Sequence, residues 1–388
     1  MTEFDVAIFG AGIAGASLAY RLTQAEGARH PAPAMSVALI EREAQPGYHS
    51  TGRSAAMFIE SYGPPAVRAL TRASRAFYEK PAAGFTTDPL LSPRGVLYLA
   101  TQGQEALLES TRAALISTCP DLELLDADAA LARVSCLRSD IVCGALFERD
   151  AQDIDVNALH QGFLRGFRSG GGVQTSGVAL QRAVRTGSTA EASWELQFAD
   201  GETIRARTVV NAAGAWADEF AALFGAAPIG LVPHRRSAFT FKAPDGVDTS
   251  HWPCVVGVDE SYYFKPDAGR LLGSPANADP TTPHDVVPEE LDIALGIHQI
   301  EAVTTISIRR PSSTWAGLRS FVRDGEMVIG FDDVCPGFFW LAGQGGYGIQ
   351  SAAGASALAA SLLRRLPLPH DLAQQGVAPT ALSPKRLR

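Results

Sequence analysis

Three features of the chain predict an α/β fold. They are a strand, glycine turn and helix at the N-terminus, an apolar strand running into Ala-Ala-Gly in mid-chain, and a last strand, glycine turn and small-residue helix near the C-terminus. Each is a piece of a Rossmann-like layer, in which strands alternate with helices. Long stretches of strand-type sequence separate them. The predicted architecture is therefore a discontinuous Rossmann-like domain with an inserted, sheet-rich α+β domain. The expected division is residues 1–84, 151–215 and 316–388 for the first domain, and 85–150 and 216–315 for the second.

Phe4–Phe9 reads as a short buried strand, Gly10–Gly15 as a glycine turn, and the residues that follow as a helix to about Gln24. Gly27 is the expected stop. Ala28–Ser36 reads as a loop because Pro31 and Pro33 forbid helix continuation. Val37–Ile40 is the next strand and ends on Glu41. Lys80–Gly95 is rich in Pro and Gly and reads as a crossing between domains. Asp155 suits the N-cap of a helix running to about Arg168 and ending in Gly170-Gly171-Gly172. Thr208–Asn211 is a strand of the first domain, whereas Ser237–Lys242 and Ser261–Lys265 read as strands outside it. Phe338–Ala342 is the final strand, entering the loop Gly343–Gly348 and then a helix from Ile349 to about Arg364.

The chain has 388 residues, 46% of them hydrophobic, and a net charge of −8. This length and composition fit roughly two to three globular domains and no disordered chain. An acidic balance argues against a nucleic-acid partner, yet leaves room for a locally positive pocket around a small anion. The five cysteines are odd in number and form no C-x-x-C pair, so neither a disulfide framework nor a metal site is expected. A reducing cytoplasm is the expected setting. The N-terminal residues show no signal-peptide pattern, and no run of about eighteen apolar residues exists to span a membrane.

Gly10-Ala-Gly12-Ile-Ala-Gly15 carries the first chemistry. Gly10 allows the tight turn, Gly12 lets the backbone approach a pyrophosphate, and Gly15 lets helix and strand pack closely. The helix N-terminus offers unpaired N–H groups and a positive dipole end. Glu41 is placed to accept both hydroxyls of an adenosine ribose. This fingerprint fits NAD or FAD. FAD is favoured because the motif comes first in the chain, no second complete fingerprint follows, and His49-Ser-Thr-Gly-Arg-Ser54 lies just beyond the acidic residue. Ser50, Thr51, Arg53 and Ser54 would set hydroxyls and a guanidinium beside the second phosphate and the flavin. The loop Gly343-Gln-Gly-Gly-Tyr-Gly348 holds four glycines in six residues, which allow close approach to a planar ring. A helix starting near Ile349 would aim its N–H groups at the flavin, favouring negative charge near N1.

Several blocks carry a family resemblance. They are Glu43–Ala56, Val210-Asn-Ala-Ala-Gly-Ala-Trp216, Tyr263-Phe-Lys-Pro-Asp-Ala-Gly269, Gly273–Asp279, Trp315-Ala-Gly-Leu-Arg-Ser-Phe321 and Gly343–Ile349. Over nearly its whole length the chain resembles the D-amino-acid oxidase superfamily, and within it bacterial FAD-dependent D-arginine dehydrogenases. The resemblance implies non-covalent FAD, hydride transfer from Cα to flavin N5, and an imino acid that hydrolyses to a 2-oxo acid and ammonia. Oxygen and a quinone both fit as the acceptor that reoxidises the flavin. It further implies that Arg236 and Arg319 grip the substrate carboxylate, that Tyr263 adds a hydroxyl to it, and that Tyr62 sits on a mobile loop closing the site. Gly346, with Tyr347 and Gly348, lines the flavin and offers carbonyls to the substrate amine. Ala14, Arg42, Ala55, Ala56, Val178, Gly214, Gly345 and Ile349 complete the implied cofactor surroundings. A planar guanidinium suits bidentate carboxylate binding. Arg235 and Arg236 should point to opposite faces of their strand; the resemblance, not the pattern, selects Arg236.

Two departures bear on the substrate. The D-arginine enzymes carry Glu where this chain has Val96, and His where it has Met57. Both changes are to apolar residues, so the expected substrate is a D-amino acid with a neutral side chain. Glu60, on the loop of Tyr62, is the one carboxylate expected to be able to swing in. His49 and His160 are read as structural, because hydride transfer from a neutral amine needs no strong base. The alternatives are oxidation of an N-substituted or cyclic amino acid of the sarcosine or proline type, and a flavin-binding redox sensor or subunit without turnover.

Overall fold

In the computed structural model, residues 1–24, 33–187 and 192–388 are described. Gly27 and residues 28–32 of the expected loop lie outside them. The N-terminal strand, Thr2–Phe9, pairs in parallel with Val37–Glu41 on one side and with Thr203–Asn211 on the other. The latter strand is long enough to serve two neighbours. Its first half takes the antiparallel strand Ser193–Phe198, and its last residues, Val209–Asn211, take Phe338–Ala342 in parallel. Alternation along Thr2–Phe9 divides the core. Val6 and Ile8 face the helices, whereas Ala7 and Phe9 pack on the opposite side with Phe224, Phe338 and Trp340.

The helical face is made by Ile13–Thr23, which packs against Val156–Ser169 and Ala352–Leu363. Asp155 caps the second of these, its carboxylate accepting the Ala158 N–H. Ala352–Leu363 is almost wholly buried, and its alanines and Gly354 permit that depth. A Cβ on Gly354 would meet Leu70 O at 2.5 Å. This helix begins at Ala352, not at Ile349 as expected. Residues 345–351 instead form consecutive turns, with the Tyr347 N–H donating to Gln344 O and the Ser351 N–H to Tyr347 O.

A second sheet is mostly antiparallel and includes Val96–Thr101, Val142–Glu148, Val232–Phe241, Cys254–Gly257, Tyr263–Asp267, Arg270–Ser274 and Ser313–Phe321. Residues 316–321, which the expected division gives to the first region, pair here along Val232–Phe241. That long pairing carries the latter strand back to Val232, past Pro233, where a start at Ser237 was expected. Tyr263–Asp267 likewise runs two residues beyond the expected Lys265. Pro266 is tolerated because the neighbouring Cys254–Gly257 pairs only as far as Phe264, leaving no partner for the missing N–H on that side. A small sheet of Met57–Phe58, Leu91–Pro93 and Gln152–Ile154 joins the two layers, so part of the Lys80–Gly95 crossing is strand.

Candidate active site

Three adjoining cavities run from Glu41 to the second sheet. The first, of about 350 Å³, is lined by Gly10, Glu41, Arg42, Val178, Gly214 and Trp216 among others. It shares Gly12, Ser50, Thr51 and Gly214 with a second cavity of about 150 Å³, which also reaches Ala14, Arg53, Gly345, Gly348 and Ile349. That cavity shares Ser54, Ala55, Arg236, Tyr263, Arg319 and Gly346 with a third of about 100 Å³.

The glycine turn is packed so tightly that two of its glycines leave no room for a side chain. Gly10 has φ +100°, and a Cβ there would lie 2.3 Å from Ala212 O. On Gly15, which lines none of these three cavities, a Cβ would lie 1.9 Å from Gly10 O. Glu41 accepts the Ala11 N–H at 2.8 Å and the Glu43 N–H at 2.9 Å, one on each oxygen, keeping lone pairs for a ligand. Thr51 Oγ1 accepts the Ile13 N–H at 3.0 Å, tying the two loops together. The Arg42 guanidinium lies 4.6 Å from the centre of the Trp216 ring. These residues fit an elongated dinucleotide such as FAD, with the Glu41 carboxylate lining the first cavity. Arg53 lines the second cavity, but its guanidinium is already engaged by Asp285, Val286 O and Ala316 O. Ser50 Oγ donates to Leu318 O at 2.6 Å. Both therefore hold this loop to the second sheet.

At the far end, Arg236 and Arg319 converge. Among the described residues neither has a carboxylate within 4 Å. Arg319 donates to the Tyr62 hydroxyl at 3.1 Å, and Arg236 to Asn277 O. Burial, and next the neighbouring Arg319 charge, hold the Arg236 guanidinium down to about 10, still cationic at neutral pH. Arg235 faces the other way, into Asp279, Glu289 and Asp292. A Cβ on Gly346 would come within 2.8 Å of Arg319 Nη1, so only glycine allows this guanidinium against the turn. Ala56, Glu260 and Ala276 line the third cavity with φ of +33°, +57° and +50°. Strained backbone of this kind costs on the order of 1–3 kcal/mol per residue and gathers at functional sites.

Several expected positions lie elsewhere. Met57 lines the third cavity, but Val96 does not. Val96 is fully buried on the same strand face as Tyr98, and it is Tyr98 and Cys254 that form the cavity wall. Glu60 is turned away into an ion pair with Arg75 at 2.6 Å. Tyr347 lines none of these cavities; its ring packs on Tyr62, with centroids 5.0 Å apart. The helix after the turn cannot present its first N–H groups from Ile349, and one of them, on Gly354, donates to Ser74 Oγ. His49 lies at the first cavity, bonded to Glu43, and His160 bonds Ala11 O at 2.8 Å; neither lines the arginine cavity. Sequence reasoning missed Glu260, Lys265 and Gln350, which do line it. Lys265 was within reach, since period-2 alternation puts it on the face of Tyr263. Its ammonium is paired with Asp153 at 2.6 Å. Glu260, on an exposed turn, has no such signal.

A family model described as "DAO: FAD dependent oxidoreductase" matches residues 5–362. A curated relative, "FAD-dependent oxidoreductase domain-containing protein 1" of Xenopus laevis, is 23% identical over 92% of this chain and 79% of its own length. Among solved structures, glycine oxidase from Geobacillus kaustophilus superposes with a TM-score of 0.81 at 22% identity, covering 97% of this chain and 99% of that one. L-proline dehydrogenase from P. horikoshii gives 0.81 at 18% identity, covering 99% and 98%. Likeness at these identities speaks for the fold.

Proposed function

The chain belongs to the FAD-dependent oxidoreductase family, and from that premise we propose that it oxidises the Cα–N bond of a D-amino acid with a neutral side chain. The observation that carries this reading is the pair Arg236 and Arg319, two cations without a carboxylate partner among the described residues, facing a cavity that opens onto the glycine turn at Gly346. Arg236 and Arg319 bind the substrate carboxylate, with the Tyr62 and Tyr263 hydroxyls beside it. This grip orients Cα toward the turn at Gly346 that would line the flavin ring, converting binding into position. FAD held along these cavities would supply the acceptor for the hydride that leaves Cα. Carbonyls of the turn receive the amine, and Ala55, Met57, Ile59 and Val256 give the side chain an apolar wall that excludes water.

The choice of handedness and of a primary amine rests on the family resemblance, and that of a neutral side chain on Met57. An anaerobic screen of D- and L-amino acids, sarcosine and proline for bleaching of the flavin absorbance tests it. Neutral D-amino acids should bleach fastest. Faster bleaching by sarcosine or proline would replace this reading with oxidation of a secondary amine. No bleaching by any of them would overturn the enzyme assignment to amino acids.

A further inference from the structure

Residues 59–62, which carry Tyr62 to Arg319, are held from two sides. On one side, Gln350 Oε1 accepts the Ile59 N–H at 3.3 Å and its amide donates to Tyr62 O at 3.4 Å. On the other stands Glu148, the last residue of strand Val142–Glu148. Its Oε1 accepts the Glu60 N–H at 2.9 Å, and its Oε2 accepts the Ser61 hydroxyl. That uses the single Ser61 proton, so the Tyr98 hydroxyl donates to Ser61 Oγ across 2.7 Å. Tyr98 lines the arginine cavity, so this short network links the buried carboxyl to the site.

Glu148 is only 7% exposed, and among the described residues no Lys or Arg lies within 4 Å of it. Burial pushes its carboxyl above the ordinary value, against the hydrogen bonds it accepts from Ser61 and Glu60. A buried carboxyl without a counter-charge is a poor stabiliser; an apolar residue of similar size would do as well. What it supplies is direction, because both oxygens point at consecutive residues of one turn. We propose that Glu148 is a positioning residue: it latches the 59–62 turn to the second sheet so that the Tyr62 hydroxyl meets Arg319 and closes the carboxylate end of the cavity. The role of Arg319 rests on the function proposed above; the latching of the turn does not.

The FAD-loaded enzyme is compared with Glu148→Gln, Glu148→Ala and Ser61→Ala. Hydrogen–deuterium exchange is followed over residues 57–64, and benzoate, a probe carboxylate, is titrated against the flavin absorbance. In both alanine variants exchange at residues 59–62 should quicken about tenfold or more. The benzoate Kd should rise about tenfold, and KM should rise by a larger factor than kcat falls. Glu148→Gln keeps an acceptor for the Glu60 N–H and should lie between these and the wild type. Should Glu148→Ala fail to fold, Ser61→Ala, which cuts the same network with little loss of volume, decides. A lower Tm with unchanged exchange at residues 59–62 and unchanged benzoate Kd would overturn the latch. Quickened exchange in a protein whose wild type ignores benzoate would sustain the latch and overturn the carboxylate role of Arg319.

Discussion

Arg319→Ala removes one of two cations from the proposed carboxylate grip. Hydrogen bonds to a charged group contribute about 1.5–3 kcal/mol each. At 1.36 kcal/mol per decade this is roughly a 10- to 150-fold loss in kcat/KM. The structure says where the loss should appear. Arg236 cannot compensate by gaining charge, because its guanidinium, though held down to about 10, is already protonated at neutral pH. Tyr62 loses its donor at 3.1 Å, and the turn at Gly346 loses the side chain packed against it. Cα should therefore be misplaced as well as weakly bound, lowering the limiting rate of flavin reduction in addition to raising the substrate Kd. Stopped-flow reduction separates the two, with FAD content measured on the same samples. A variant with full FAD and kcat/KM within about twofold of the wild type would show that the carboxylate binds elsewhere.

Four further outcomes follow. Gly10→Ala should purify without FAD and with a lowered Tm, because the new Cβ would sit 2.3 Å from Ala212 O on a backbone of φ +100°; a normal flavin content refutes this. FAD should remain in the supernatant after acid precipitation. Of the cysteines only Cys254 lines the cavities, and burial pushes its thiol up to about 12, away from the reactive thiolate. D-Arginine should be about a hundredfold or more poorer in kcat/KM than D-leucine or D-methionine, as a guanidinium buried unpaired costs several kcal/mol, on the order of a broken buried ion pair. If D-arginine wins, Glu260 on the cavity rim is the carboxylate to replace by Gln, in place of Glu60, which is paired with Arg75. Finally, burial holds the His160 imidazole below its ordinary value of 6.5. The unfolded chain then takes up the proton first, so stability is complete above that value and falls as pH drops through it, by at most about 1.4 kcal/mol per pH unit until the folded ring protonates. In urea titrations between pH 7.5 and 5, the wild type should lose more stability than His160→Gln, the difference between the two having this slope.

Which parts of the site were legible follows from where their constraints lie. Gly15 is readable because its constraint is local, a Cβ there colliding with Gly10 O of the same turn, whereas Gly10 and Gly346 are readable only as members of their motifs, since a Cβ on them would meet Ala212 O and the Arg319 side chain from distant segments. Glu41 is readable because a βαβ unit delivers the end of its second strand to the glycine turn wherever it occurs. Side-chain direction is not local. Val96 and Tyr98 share one strand face, and only the packing of Cys254–Gly257 alongside decides that the tyrosine reaches the cavity while the valine stays behind it. Arg235 and Arg236 point apart by the pleat alone, but which one faces the cavity depends on Glu290–Val303 bringing Asp292 to the other face. The Glu148 network lies furthest from sequence, since residues 60, 61, 98 and 148 come from three segments with no shared motif or spacing. The loop tip that lines the cavity can thus be read by resemblance, whereas the groups that aim it require the fold. Exchange over residues 57–64 is accordingly the measurement on which the two kinds of inference separate.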